Sequence, residues 1–299
     1  MKYLGGKHEI GRRISAFLLE QCPPDSLKGG GYLEPFCGSL GVFKHMTDKG
    51  YKKYSASDIQ PDLILMWKKI QKNTLHLPAT ISADEYEALK KRHSPNAMRA
   101  VAGFGLSFGG KFFGGYAQKW SGKSGRNFYS EFKASIEKIK PAIRRKNVHF
   151  YNKSYLDFKP HGMLIYCDPP YKHTQSYSTG EFDYDTFWST MRLWSKDNCV
   201  FISEETAPSD FVAVFKHLKR RTLDKNKAHM FNRYEKIFAY RGTSVADTSV
   251  ADTSVADTSV ADTSVAGTNN NNNKTRRKNK NKINKTRKKG ALPTSEASL

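Results

Sequence analysis

Apolar residues recur at helical spacing in Ile10, Ile14, Phe17 and Leu18, and give way at Gly31 to Pro35 to a short continuous run. That change of period predicts a helix followed by a buried strand. The alternation continues: Ser39 can cap a helix carrying Val42 and Phe43, Lys53 to Ser57 predicts a second strand ended by Asp58, and Asp62 to Ile70 has the spacing of another helix. Ser82, Ala83, Asp84 and Glu85 form a capping-box sequence ahead of Leu89, in a helix that the Ser94-Pro95 step should stop. Phe128 to Lys146 predicts a helix with Phe132, Ile136, Ile139 and Ile143 on one side, followed by strands at Val148 to Tyr151 and Met163 to Cys167. Beyond these the pattern predicts a helix at Tyr184 to Trp194, a strand at Cys199 to Ser203, a helix at Phe211 to Leu218, and strands at Arg220 to Leu223 and Lys236 to Arg241. Strands interleaved with helices make an α/β fold, which should close at about residue 242.

One stretch departs from this order. Residues 103 to 125 hold eight glycines, with Phe104, Phe108, Phe112, Phe113, Tyr116 and Trp120 between them, and none of these glycines is expected in a helix. Glycines let a backbone approach a ligand, and aromatic rings beside Lys111, Lys119, Lys123 and Arg126 offer stacking faces next to phosphate-seeking charges. The plainer alternative is a loop whose aromatics plug the core.

From Thr243 the chain repeats TSVAD four times, closes with TSVAG at Gly267, and runs through asparagines from Asn269 to Asn273. A five-residue period fits neither helix nor strand, so residues 243 to 273 are expected to be a spacer. Ten of the sixteen residues from 274 to 289 are Lys or Arg, with Ile283 the only large apolar side chain. Residues 274 to 299 are therefore expected to be a disordered basic tail, either a mobile arm that raises nonspecific affinity or a solvated extension without function.

The net charge of +22 falls only to +17 when residues 243 to 299, with ten basic and five acidic side chains, are set aside. Such an excess favours a polyanionic partner, with binding that weakens steeply as salt rises. Cys22, Cys37, Cys167 and Cys199 are widely separated and form no CxxC pair, and no apolar signal segment opens the chain, which predicts an intracellular protein of a reducing compartment. The nine histidines lack metal-ligand spacing, so no metal is expected, and no segment is apolar enough for a membrane span.

The apolar run Met163 to Cys167 leads directly into Asp168-Pro169-Pro170-Tyr171, placing a carboxylate, a rigid turn and a ring at the carboxyl end of a strand, where open α/β sheets bind ligands. Two prolines remove two N–H donors and leave carbonyls that only accept. A carboxylate and a proline carbonyl can together hold both hydrogens of an amino group such as adenine's, drawing its nitrogen toward tetrahedral geometry and freeing the lone pair to attack a methyl sulfonium. Tyr171 can stack on a base taken out of its duplex. Alone, the tetrapeptide is equally a strand ending in a tight proline turn. Glu34-Pro35-Phe36-Cys37-Gly38-Ser39-Leu40-Gly41 follows a strand and opens a helix, so Gly38 can bring backbone N–H groups close to a ligand. Asp58, twenty residues beyond Gly38, is spaced to accept ribose hydroxyls, or else caps the next helix. Tyr3-Leu4-Gly5-Gly6-Lys7 joins a ring, a turn and a cation able to pair with a cofactor carboxylate, or is a frayed terminus.

Together these four blocks, in this order, resemble the Dam-type, alpha-ordered family of adenine-specific DNA methyltransferases over residues 1 to 242. The resemblance implies a Rossmann-like AdoMet-dependent methyltransferase sheet, a target-recognition insertion at about residues 76 to 147, and S-adenosyl-L-methionine as cofactor. It implies cofactor binding by Tyr3, Lys7, Glu34, Phe36, Gly38, Asp58 and Asp168, catalysis by Asp168, Pro169, Pro170 and Tyr171, and double-stranded DNA as partner, reached by Lys111, Lys119, Lys123 and Arg126. It leaves room for a companion restriction endonuclease, and for a nucleus or viral replication site if the host is eukaryotic. Methylation of RNA adenine or of the cytosine amino group, and a silent nucleic-acid-binding homologue, are the competing readings. The sequence departs from the family at Leu40, where a small residue is usual, and at Glu204, where relatives commonly carry Asn or another small polar residue.

Overall fold

The computed structural model describes residues 3–117, 127–171, 182–222 and 230–243, so Trp120, Lys119, Lys123, Arg126, the repeat and the basic tail lie outside the described residues. The fold belongs to the unit formed by residues 1–255. Its seven strands are β1 (Gly31–Glu34), β2 (Lys53–Ser57), β3 (Val148–Tyr151), β4 (Met163–Cys167), β5 (Cys199–Glu204), β6 (Phe211–Thr222) and β7 (Met230–Tyr240). They lie in the order β3-β2-β1-β4-β5-β7-β6. The first five pair in parallel, while β7 runs antiparallel to both β5 and β6. This is a doubly wound order with one reversed strand slipped in near its end.

Alternation along the strands divides the core between the two faces. Tyr32, Leu164, Tyr166, Phe201 and Ile237 face a large cluster with helices α1 (Gly11–Gln21), α2 (Phe43–Met46), α3 (Pro61–Gln71), α5 (Ala97–Gly105) and α6 (Phe128–Ile143). Leu33, Ile165, Cys167, Val200 and Ile202 face α7 (Tyr184–Trp194), which supplies Phe187, Trp188, Met191 and Trp194. The predicted stripe Phe132, Ile136, Ile139 and Ile143 is buried, and the predicted capping box opens α4 (Ala83–Lys91) with Ser82 and Glu85 each bonding the other's backbone.

Several expectations change. Phe211 to Leu218 is not a helix but the first part of β6, paired with β7 along its length. A bulge between Ala213 and Phe215 sends two consecutive residues, Val214 and Phe215, into the same core, and that broken alternation imitated a helical face. Ser39 does not cap a helix. Leu40 takes φ 61° in a turn first, and the single-turn α2 starts after Val42 with no side-chain cap. Gly103 and Gly105 are helical after all, in α5, where a Cβ on Gly103 would stand 2.5 Å from the Phe112 ring. Phe104 is buried, and Phe112, Phe113 and Tyr116 pack against the core, so these rings serve packing, whereas Phe108 stays exposed. Finally, the four cysteines are not all thiols. The fold carries Cys22 at the end of α1 and Cys199 at the start of β5 together as a disulfide across 177 residues, leaving Cys37 and Cys167 free and buried.

Candidate active site

The sheet order reverses direction between β1 and β4, and the carboxyl ends of neighbouring strands diverge there into a crevice. β1 delivers Glu34 and the turn to Gly38, β2 delivers Asp58, and β4 delivers Asp168. The twenty-residue spacing of Gly38 and Asp58 becomes a direct contact: the Gly38 N–H donates to Asp58 Oδ2 at 3.0 Å, and the Gln60 N–H donates to Oδ1 at 3.0 Å. Asp58 is not the cap of α3, because the Gln60 side chain accepts from the Asp62 N–H there. Burial pushes the Asp58 carboxyl above its usual range, against the pull of its backbone donors.

Lys7 is the centre of the arrangement and is far from frayed, being 4% exposed. Its Nζ lies 2.7 Å from Asp168 Oδ1, 2.9 Å from the Tyr171 hydroxyl oxygen and 3.3 Å from Glu235 Oε1. The Tyr171 hydroxyl donates in turn to Glu235 Oε1 at 2.8 Å. Burial acts against the charge on Lys7, but Asp168 and Glu235 outweigh it and hold the ammonium above its ordinary pKa. Burial, then Asp168 and Glu235, push the Tyr171 phenol far up, so it stays neutral and remains a donor. Asp168, at 20% exposed, is the more outward of the two carboxylates.

The remaining predicted residues take distinct places. Pro169 is buried, and the Pro170 carbonyl accepts the Tyr184 hydroxyl at 2.7 Å. Glu34 accepts the Tyr32 hydroxyl at 2.5 Å and is pushed well above the carboxylate range, by burial first and by Asp168 as well. Phe36 packs on Tyr155, Phe182 and Phe187, and Tyr3 lies against Gly38 and the Phe104 ring. Lys111 is exposed in the turn that the Leu4 N–H joins through the Gly110 carbonyl. Glu235 was not expected. The predicted strand began one residue later, at Lys236, although Glu235 sits in alternation with the inward-facing Ile237 and Ala239, and a carboxylate at such a position is itself a signal.

Gly41 secures the Lys7 backbone, since a Cβ there would lie 2.9 Å from both Lys7 N and Lys7 C. Gly41→Ala is expected to displace this segment at a cost of about 1–3 kcal/mol, the range for overpacking, visible as a lower Tm together with reduced activity. An unchanged Tm would contradict the tight fit. His8, the next residue, is held down to about 3 by burial and by the positive charges near it, including Lys44 and His45. Its buried Nε2 has no hydrogen-bond partner among the described residues. The unfolded chain takes up this proton below about pH 6.5 and the folded chain does not until near pH 3, so His8 should make stability fall as pH drops through that interval. His8→Gln is expected to flatten the decline in a pH series of thermal melts; an identical slope would remove His8 from the account.

Among the described residues no group of three or more His, Cys, Asp or Glu could hold a metal ion, and no helix is long and apolar enough to cross a membrane. The family model described as D12 class N6 adenine-specific DNA methyltransferase matches residues 3–97 and 113–217. A search of curated proteins returned no match. Similar solved structures include the provisionally assigned methylase HI0767 from Haemophilus influenzae, at 12% identity and TM-score 0.33, covering 79% of this chain and 90% of that one. Another is TrmN from Thermus thermophilus, at 10% identity and TM-score 0.33, covering 76% of this chain and 47% of that one.

Proposed function

This chain belongs to the D12 class N6 adenine-specific DNA methyltransferase family, and on that premise we propose that it transfers a methyl group from S-adenosyl-L-methionine to the N6 amino group of an adenine flipped out of double-stranded DNA. The observation that carries the reading is the cluster of Asp168 and Tyr171 around the buried Lys7 ammonium, with Asp168 at the carboxyl end of β4 beside the crevice.

The residues fit such a cofactor. The turn at Gly38 brings backbone and the Asp58 carboxylate to the crevice, suited to ribose hydroxyls, and Tyr3 lines the same turn. When bound, S-adenosyl-L-methionine supplies an electrophilic methyl group on a positively charged sulfur. The chain's own residues prepare the acceptor. Asp168 takes one amine hydrogen as a hydrogen bond. The Pro170 carbonyl already accepts from Tyr184, and the Pro169 carbonyl is assigned to take the other. Tyr171, fixed at its hydroxyl, offers its ring to the extruded base. Residues 76 to 147 act as the target-recognition insertion, and the spacer and basic tail add affinity that does not depend on sequence.

The test is to incubate the protein with labelled S-adenosyl-L-methionine and unmethylated DNA and to analyse the nucleosides. Labelled N6-methyladenine is the expected product. Transfer to RNA but not DNA, label in N4-methylcytosine, or no transfer to DNA of varied sequence would overturn the proposal.

A further inference from the structure

We infer that Glu235 is a positioning residue that takes over the Lys7 ammonium as Asp168 turns to the substrate amine, while holding the Tyr171 ring in place. The inference rests on the reading of Asp168 as the group that grips the amine.

The reasoning begins with a conflict inside the cluster. Asp168 Oδ1 is already a short 2.7 Å from Lys7 Nζ. A carboxylate that redirects toward an incoming amine weakens its hold on that cation, and a buried cation left unpaired costs several kcal/mol. Lys7 is buried, so water cannot take the place of the lost partner. The fold has a second carboxylate in reach. Glu235 Oε1 lies 3.3 Å from Nζ, within ion-pair distance but longer than the Asp168 contact, so a small shift of the ammonium exchanges one partner for the other.

The second part of the inference concerns Tyr171. Lys7 donates to the Tyr171 oxygen, and the Tyr171 hydroxyl donates to Glu235, so the three groups form a closed circuit of donors and acceptors. The phenol oxygen is thereby held from two sides, by Lys7 as donor and by Glu235 as acceptor, which restrains where the ring sits. Glu235 is suited to this by its mounting. It stands on β7, hydrogen-bonded to β5 on one side and β6 on the other, opposite His217 in the ladder, and is 6% exposed against 20% for Asp168. Asp168 is the outward member of the pair and Glu235 the inward one. Glu235 therefore acts through Lys7 and Tyr171 and not on the reacting atoms.

Glu235→Gln isolates the charge, because a glutamine carbonyl can still accept from Tyr171 but cannot balance Lys7. In the full-length protein the variant is expected to lower kcat for DNA methylation by about 10²-fold, the scale of a misplaced reacting geometry, with the KM for S-adenosyl-L-methionine changed less than about threefold. Glu235→Asp should recover part of the loss that Glu235→Ala suffers. Tyr171→Phe combined with Glu235→Gln should lose less than the product of the single losses, since the two share one circuit. Wild-type kcat in Glu235→Gln, or a loss carried wholly by the cofactor KM, would overturn the inference while leaving the proposed function standing. If the wild-type protein itself transfers no methyl group to adenine, both fall together. Should Glu235→Ala fail to fold, the near-isosteric glutamine and the aspartate variants decide the matter.

Discussion

Alanine at position 168 is expected to reduce methyl transfer to near background, about 10²–10³-fold or more below the wild type, in a protein that remains folded. The magnitude follows from the role: Asp168 is the outward carboxylate of a buried cluster, and a preorganised hydrogen-bonding group aimed at shifting charge is worth about that much in kcat. The fold survives because Lys7 keeps Glu235 and the Tyr171 oxygen as partners. Asp168→Asn should lie between, since an amide oxygen still accepts from the amine but with less charge. The measurement is label transferred to DNA under saturating cofactor, alongside a thermal melt. Near-normal turnover in Asp168→Ala would put the chemistry elsewhere in the molecule.

Lys7→Met should have the largest effect on stability. Removing one member of a buried ion pair leaves an uncompensated charge and costs about 3–5 kcal/mol. Here it leaves two carboxylates facing each other across the vacated site. At about 2–4 °C per kcal/mol for a domain of this size, Tm should fall by roughly 10 °C. The pH dependence has a definite sign. The Lys7 pKa is raised in the fold, so its stabilisation is complete below 10.5 and is lost only as pH rises through the elevated folded value, leaving the neutral range flat. In Lys7→Met the carboxylates lose this cation and bind a proton more readily in the folded state than they do in the wild type. The gap between variant and wild type should therefore narrow toward acid pH. A gap that stays constant from neutral to acid pH would mean the carboxylates are not coupled through this site.

Much of this arrangement is legible in the chain because it is local. Met163 to Cys167 and Lys53 to Ser57 are strands at the predicted bounds, and the capping box at Ser82 is present as spelled, since apolar runs and caps depend on near neighbours. The spacing of Gly38 and Asp58 across one strand-turn-helix unit marked both as parts of one site, and the two are in direct contact. What stayed hidden needed partners distant in sequence. The bulge in β6 exists only opposite β7, and its two consecutive inward residues make Phe211 to Leu218, read without that partner strand, imitate a helix. Lys7 taken alone fits a loose terminus, because its burial depends on Asp168 and Glu235, 161 and 228 residues away. Phe104, Phe112, Phe113 and Tyr116 fit a ligand-stacking surface for the same reason: the core they pack into includes α6, which follows them in the chain.

β7 lies between β5 and β6 but is made last of the three. Until the ribosome has delivered residues 230–240, the hydrophobic Val200-Phe201-Ile202 stretch of β5 borders no strand on its outer side, a bare edge of the kind that recruits other chains. β7 also carries Glu235, the second carboxylate of the Lys7 cluster, so a nascent or prematurely terminated chain would be both adhesive and catalytically unfinished. For this fold, chaperone demand should peak late in synthesis, and nonsense products ending between residues 204 and 230 should collect in the insoluble fraction.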